Sequence, residues 1–435
     1  MKTRKYLSAD GLFKLMGQGF AKVEDHRPMN VAIPLRDALM SGLALFALKD
    51  PSMLAFDERR AKGENLRRVF GIEQIPSDTQ MRTILDGVEP ERLRPLFKRI
   101  FGQLQRGKVL EKLVFMGGYY LASLDGTKYF TSPKIHCGDC LQRINGKTGV
   151  ITYSHQLLAG AIVHPDHKEV IPLMPEAIIR QDGEAKNDCE RNAAKRFLAK
   201  LRQDHPRLPL IIVEDALSAN APHIQELKRH KLHFILGVKE GDHKHLFAYI
   251  AQAQTEGRVT EFEIKEGAIT HRFGFLNDVP LNESNENVRV NFLQYWEIQG
   301  EKVQHFSWIT DFIISQNNAY ELMRGGRARW KIENETFNTL KNQGYHFEHN
   351  FGHGQNHLSV VLALLMILAF AIDQAQQLAC QLFQAAWAAV GSKRRLWERL
   401  RSLFYELPFT SMSDIWRVIA YGFHLEGRIV IHDTS

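Results

Sequence analysis

Apolar residues recur at intervals of three and four over the first part of the chain, as in Leu12, Met16 and Phe20 and again in Leu93, Leu96, Phe97 and Ile100. That spacing predicts amphipathic helices through residues 1–115. Ser77 or Asp78 stands where an N-cap belongs, ahead of a short helix ending near Leu85. Thr79, Gln80 and Arg82 on that helix make it a candidate for reading DNA, with a plain packing helix as the alternative. From about residue 117 the period changes. Tyr119–Asp125 is an apolar, β-prone run ending in an acid, and Gly126–Thr131 is expected to turn and continue extended. Val150–His164 and Lys168–Leu173 read as strands and Ala185–Asp204 as a helix, with Asp182 as a turn residue before it. Leu208–Asp215 is a buried strand that also ends in acid, followed by a helix over Ala221–Arg229 and a strand over Leu232–Val238.

This order predicts a mixed α/β sheet, and acids at strand C-termini stand where open α/β sheets place ligands. A second β-rich block follows, with antiparallel strands expected over Val259–Ile264, Thr270–Leu276, Val288–Ile298 and Val303–Thr310. Helices are expected from Gln316 onward. The most apolar run, Leu358–Ile372, has 15 residues, short of the roughly 20 that span a bilayer. It is expected to be a buried core helix, with no membrane partner. The basic stretch Lys393–Arg401 reads as a solvated helix face.

Composition narrows the class. A hydrophobic share of 44% over 435 residues supports a large core, and the length suggests more than one structural unit. The formal net charge of +7 is compatible with a polyanionic partner without requiring one. Four cysteines are too few for a disulfide framework in a chain of this length, which points to a reducing cytoplasm. The N-terminal Met1–Leu7 is basic but lacks the apolar core of a signal peptide.

The candidate chemistry centres on Arg327–Lys341, which places Glu333 and Glu335 among Arg327, Arg329, Lys331 and Lys341. Ile332, Phe337 and Leu340 give this segment an apolar helical face. Alone it reads as a solvated helix with ordinary charge pairs. Together with Asp125 and Asp215, Glu333 completes a possible carboxylate cluster, which must bind cations or suffer mutual repulsion. Oxygen donors without Cys or His favour Mg²⁺ or Mn²⁺. Two such ions about 3.5–4 Å apart activate water and stabilise the leaving oxygen of a phosphodiester. Glu335 lies about 200° from Glu333 on a helix, and Glu214 faces away from Asp215 along a strand, so neither is the expected ligand.

Leu124–Thr127, Val213–Ala216 and Arg329–Glu333 resemble the three acidic blocks of bacterial insertion-sequence transposases of the DDE class, nearest the branch whose third block is called the YREK signature. The resemblance covers roughly residues 117–375. It implies an RNase H-like catalytic core with a β-rich insertion between the second Asp and the Glu, flanked by helical N- and C-terminal regions. The 118 residues from Asp215 to Glu333 accommodate such an insertion. The expected organisation is a helical DNA-binding domain over 1–115, the first part of the core over 116–250, the insertion over 251–314, the helical completion of the core over 315–375 and a helical region over 376–435. Asp125, Asp215 and Glu333 match the three acids, and Arg329 the signature arginine. The family's Tyr falls on Gly326 and its Lys on Leu340, beside Lys341.

The resemblance implies a transposase that binds terminal inverted repeats in double-stranded DNA. It would hydrolyse the phosphodiester with two divalent metals and join the freed 3′-OH to target DNA, as a homodimer on DNA. Arg327, Arg329, Lys331 and Lys341 are expected to hold phosphates, and Trp308 in the insertion is a candidate for stacking on a flipped base, with a core position as the alternative. Rival readings are a stand-alone metal-dependent nuclease and a catalytically silent, domesticated DNA-binding protein. Separately, Cys137 and Cys140 form a Cys-x-x-Cys knuckle, and Cys189 follows on the next helix. With His136 or His155 these could hold a structural Zn²⁺, the alternative being reduced, partly buried thiols.

Overall fold

A computed structural model describes residues 6–28, 30–60, 63–180 and 189–423. Asp182 and the expected helix start at Ala185 lie outside them. Contacts divide the chain into two compact units, one of residues 1–103, 342–346 and 365–435 and one of residues 104–341 and 347–364.

The first unit is helical. It contains α1 (Ala9–Phe20), α2 (Leu35–Ala47), α3 (Met53–Arg60), α4 (Glu64–Phe70), α5 (Asp78–Asp86) and most of α6 (Arg94–Arg106). Ser77 is the N-cap of α5, and its hydroxyl and the Gln80 side chain form a reciprocal capping box. Thus Gln80 closes the helix start, and Arg82 pairs with Asp78. The C-terminal helices join the same unit. The Asp10 carboxylate accepts from the backbone N–H groups of Met412 and Ser413 at 2.6 and 3.1 Å, and the Asn65 side chain bonds Leu407 O and Phe409 N.

At the centre of this unit Lys49 is fully buried and ends α2 in a left-handed conformation (φ 58°). Its ammonium donates to Asp373 Oδ2 at 2.6 Å and to the Ala47 carbonyl at 3.1 Å, between the rings of Tyr345 and Trp397 at 4.3 and 4.2 Å. Burial drives the Lys49 ammonium below its ordinary pKa, against the pull of Asp373. The Tyr345 hydroxyl donates to the same carboxylate oxygen. A charge in such a place is tolerated because two acceptors and two ring faces stand in for the water it lost.

The second unit is built on one mixed sheet. Its strands are β1 (Tyr120–Ser132), β2 (Leu141–Ile144), β3 (Ile151–Val163), β4 (Ile171–Pro172), β5 (Glu176–Ile178), β6 (Leu210–Glu214), β7 (His233–Gly237), β8 (Thr260–Glu266), β9 (Ile269–Pro280), β10 (Arg289–Gln299) and β11 (Lys302–Thr310). The order is β2-β3-β1-β6-β7-β11-β10-β9-β8, with β4 and β5 also paired to β3. β1 is antiparallel to β3 but parallel to β6, and β6 is parallel to β7. Every residue of β6 is buried, as expected of a parallel strand covered on both faces. The helices of this unit are α7 (Glu190–Asp204), α8 (Ala221–Arg229), α9 (Lys244–Thr255) and α10 (Ala319–Arg327), and α10 packs on β6 and β7. The four strands β8–β11 form antiparallel hairpins and continue the sheet where β11 pairs with β7, so this block is a lateral extension of one sheet.

The expected turn at Gly126 is absent. β1 runs straight through, with Gly126 opposite Leu158 in the ladder. A Cβ at this position would stand 2.2 Å from Glu190 Oε1 in its present rotamer. The apolar run near residue 358 forms a longer helix than expected, α12 (Leu358–Ala379), which follows a short helix α11 (Asn338–Asn342). Its 22 residues are long and apolar enough to cross a membrane, but its most apolar window is entirely buried within the protein. Helices α13 (Gln381–Val390), α14 (Lys393–Glu406) and α15 (Met412–Tyr421) are the last among the described residues.

Removing one partner of the Lys49–Asp373 pair isolates a buried charge. We expect Asp373→Ala to destabilise the helical unit by about 3–5 kcal/mol in denaturant unfolding, and the double replacement Lys49→Met/Asp373→Leu to cost clearly less. Equal losses would mean that the rings and packing, not the charge, set the stability here.

Candidate active site

Asp125 and Asp215 come together through strand register. The parallel pairing of β1 with β6 aligns Ser123 with Val213, and two residues further along each chain stand Asp125 and Asp215. Asp125 remains within β1, opposite Ala159 of β3. Asp215 immediately follows β6, where its Oδ1 accepts from the Leu217 backbone N–H at 3.0 Å. Both carboxylates line a cleft of about 680 Å³, together with Glu190 and Glu214 and the bases Lys128 and Arg191.

Glu333 approaches Asp125 from a different element. After α10 the backbone does not continue as a plain α-helix: Ile332–Phe337 forms a π-helical turn before α11. The spacing of five between the buried Ile332 and Phe337 suits the i→i+5 bonding of such a turn. Ile332 and Phe337 pack with Ala159, the residue facing Asp125 across the ladder. The buried Ser123 hydroxyl, on the same face of β1 as Asp125, donates to the Arg329 carbonyl at 3.1 Å. These two contacts fix the π turn over the middle of β1.

Arg329 lies between two of the acids. Its guanidinium is 2.6 Å from Glu333 Oε1 and 3.8 Å from Asp125 Oδ2. Even so, Asp125 is hard to ionise. Burial is the main cause, the nearby Glu333 adds to it, and Asp215 contributes further, while Arg329 and the Gly126 N–H work in the opposite direction. The net effect raises its pKa from 3.8 to about 7. A cation brought to this cluster would relieve that repulsion, and the donors are carboxylate oxygens, as hard divalent ions prefer.

The neighbouring acids have separate assignments. Glu214 is buried, its Oε2 2.6 Å from His223 Nε2 and its Oε1 accepting from the Ser218 hydroxyl. Burial opposes a charge on His223, but Glu214 outweighs it and raises the imidazole pKa. Glu190, the first residue of α7, was not singled out by the sequence. Its pKa is raised by burial and by Asp215 and Glu214, and its carboxylate occupies the space beside Gly126. Only the glycine after Asp125 hinted at it.

The basic and aromatic candidates are spread out. Arg327 pairs with Glu297 and lies over the Phe306 ring, and Lys341 pairs with Glu348 at 2.8 Å. Lys331 lines a separate small pocket with Arg327. Trp308 is not available for base stacking: it is only 6% exposed, and its indole lies against Gly326 of α10. A Cβ at Gly326 would come within 2.4 Å of Trp308 Nε1, so the tryptophan takes the room that a tyrosine there would need. Leu340 is likewise buried. The exposed aromatic beside the acids is Trp330, half exposed and 4.8 Å from the Arg329 guanidinium. Cys189 does not join the Cys137–Cys140 pair; it is the exposed N-cap of α7 and lines the acidic cleft.

A family model described as the transposase DDE domain matches residues 152–371, just over half of the chain. The match spans Asp215 and Glu333, and Asp125 lies upstream of it. No curated protein matches the chain.

The raised pKa of Asp125 has a measurable consequence. Between about pH 4 and pH 7 the folded metal-free protein binds more protons than the unfolded chain, so stability is greatest at the acid end and falls as pH rises through this window. Chelator-treated protein followed by chemical denaturation should lose up to a few kcal/mol from this source. Asp125→Asn should flatten the fall and be the more stable form near pH 8. A wild-type profile that is flat, or that rises, would contradict the repulsion.

Proposed function

Because this chain belongs to the transposase DDE domain family, we propose that Asp125, Asp215 and Glu333 are its catalytic acids and that it cuts and joins DNA at the ends of a mobile element. The observation that supports this reading is Asp125, which shares a cleft with Asp215 and is joined through Arg329 to Glu333 of the π turn. We read β3-β1-β6-β7 and their helices as an RNase H-like core and β8–β11 as its insertion.

These three carboxylates would hold two Mg²⁺ or Mn²⁺ ions, whose chemistry when bound is to acidify water and to neutralise charge on a phosphodiester. The protein's own groups do the rest. Arg329 compensates the acids before DNA arrives and is within reach of a phosphate afterwards, and Trp330 beside it presents an indole face. Glu190 adds negative charge at the cleft end of α7. Water first attacks the phosphodiester at an element end and frees a 3′-OH. That hydroxyl then attacks a phosphodiester of target DNA, displacing one target 3′ oxygen as the new bond forms. Synapsis of two ends calls for a homodimer on DNA, and Arg327, Lys331 and Lys341 are assigned to phosphate contacts that would exchange their present partners. We read Arg329 and Glu333 as a resemblance to the bacterial insertion-sequence branch with the YREK signature. Gly326 and Leu340 depart from that signature, so the proposal calls on no hairpin intermediate.

The test is incubation of purified protein with Mg²⁺, a target plasmid and DNA bearing the element ends. Joined products are expected. Cleavage without joining would assign a nuclease, and binding alone a silent DNA-binding protein. Asp125→Asn, Asp215→Asn and Glu333→Gln should each lower joining about a thousandfold or more, since metal-assisted charge stabilisation is worth several kcal/mol. Glu190→Gln should lower it roughly 10–100-fold, in the range of a group that supports the ligands. Full joining by Asp125→Asn would sink the site assignment.

A further inference from the structure

On the far side of β1 from the strand-end acids in sequence, four buried side chains converge: Cys137, Cys140, His155 and His353. The two cysteines stand in the connection between β1 and β2, His155 lies on β3, and His353 lies in the irregular segment between α11 and α12. His353 is separated from Cys140 by 213 residues, so only the fold could reveal it. The sulfurs are 3.8 Å apart; His155 Nε2 is 3.4 Å from each, and His353 Nε2 is 3.4 Å from Cys140 Sγ. A tetrahedron with zinc–sulfur bonds of about 2.3 Å and zinc–nitrogen bonds of 2.0–2.1 Å has S···S edges of about 3.8 Å and S···N edges of about 3.5 Å. All four donor atoms lie within 4.8 Å of one another.

The surroundings are those of a closed site. The Cys137 backbone N–H points at Cys140 Sγ at 3.5 Å, and the Cys140 N–H bonds back to the Cys137 carbonyl, which shapes the x-x turn as a knuckle. Tyr129 stacks on His155, and Phe130 packs on His353 with ring centroids 4.5 Å apart. Both Nδ1 atoms are buried without a partner, so the rings make their polar contacts only through Nε2 toward the sulfurs. Without a central cation these buried groups have only one another to bond to, an arrangement that costs free energy.

We propose that Cys137, Cys140, His155 and His353 bind one structural Zn²⁺, which ties the segment after the Glu333 turn to β1 and β3. The four protein ligands leave no open position, so the ion is structural and not a source of activated water. The site is distinct from the acids and stands whether or not those acids catalyse. Its place in the fold gives it a task. Residues 343–357 contain no helix or strand, and His353 would add a metal-borne attachment of this stretch to β3 and the β1–β2 connection, beside the stacking of Phe347 on Tyr129.

Zinc content of the purified full-length protein, measured by inductively coupled plasma mass spectrometry, should be one ion per chain. Cys137→Ser and His353→Ala should reduce it to about a tenth or less, whereas His353→Cys, which keeps a zinc-binding donor, and Cys189→Ser should retain it. Should the loss variants fail to fold, chelated wild-type protein titrated with Co²⁺ decides, with tetrahedral d–d bands and a thiolate charge-transfer band expected. Several results would overturn the site: metal-free wild-type protein that gives no such bands, zinc retained by Cys137→Ser, zinc lost from Cys189→Ser, or a Cys137–Cys140 disulfide in the freshly isolated protein.

Discussion

Like charges forced together at the end of a sheet are the constraint around which the second unit is built. Asp125 and Asp215 are brought side by side by backbone pairing that also buries much of their surroundings, and Glu333 is pressed toward them by apolar contacts. None of these acids can retreat, because each sits on an element fixed by other bonds. The protein's immediate answer is one guanidinium, that of Arg329, and it is not enough to bring Asp125 into the ordinary carboxylate range. The remaining need for positive charge is what supports the proposal that this cluster takes up a cation.

The supporting structure keeps that crowding in place with very little freedom. Ser123 and Arg329 link strand to turn through a single buried hydrogen bond, while Ala159 receives Ile332 and Phe337. Two glycines mark where side chains would have interfered. Gly126 yields its space to the Glu190 carboxylate, and Gly326 yields to the Trp308 indole. In both cases a missing side chain records an atom that lies far away in sequence. The buried pair of Lys49 and Asp373 shows the same economy in the helical unit, where one charge is matched by one carboxylate and two rings.

Much of the sheet was legible in the chain because apolar strands with alternating or continuous burial announce themselves. The paired strands of the extension and the helix Ala221–Arg229 follow the sequence pattern closely. Asp125, Asp215 and Glu333 were legible as residues because each sits beside an apolar run or a distinctive block. What was not legible depends on sequence-distant contacts. Nothing local to His353 says that it approaches Cys140, and nothing local to Glu190 says that it fills the space of Gly126. The meeting of N-terminal and C-terminal helices in one unit is of the same kind, since periodicity reports a helix's face but not its neighbour. Trp308 takes the core position that the sequence offered as the alternative to stacking, and its volume fills the space beside Gly326.

The π turn under Glu333 has a consequence for how this segment tolerates change. A π turn carries one residue more than the α turn it replaces, so losing one residue between Ile332 and Phe337 would let it close in the tighter form, leaving the helices on either side in phase but moving the residues inside the turn, Glu333 among them, relative to Asp125. Side-chain exchanges at the solvent-facing Asn334 leave the count intact; a single-codon deletion does not. The loop at Asn282–Glu286 between β9 and β10 is under no such rule, because its length positions no candidate site residue. This part of the chain is therefore metered: its length is as much a part of the site as its chemistry.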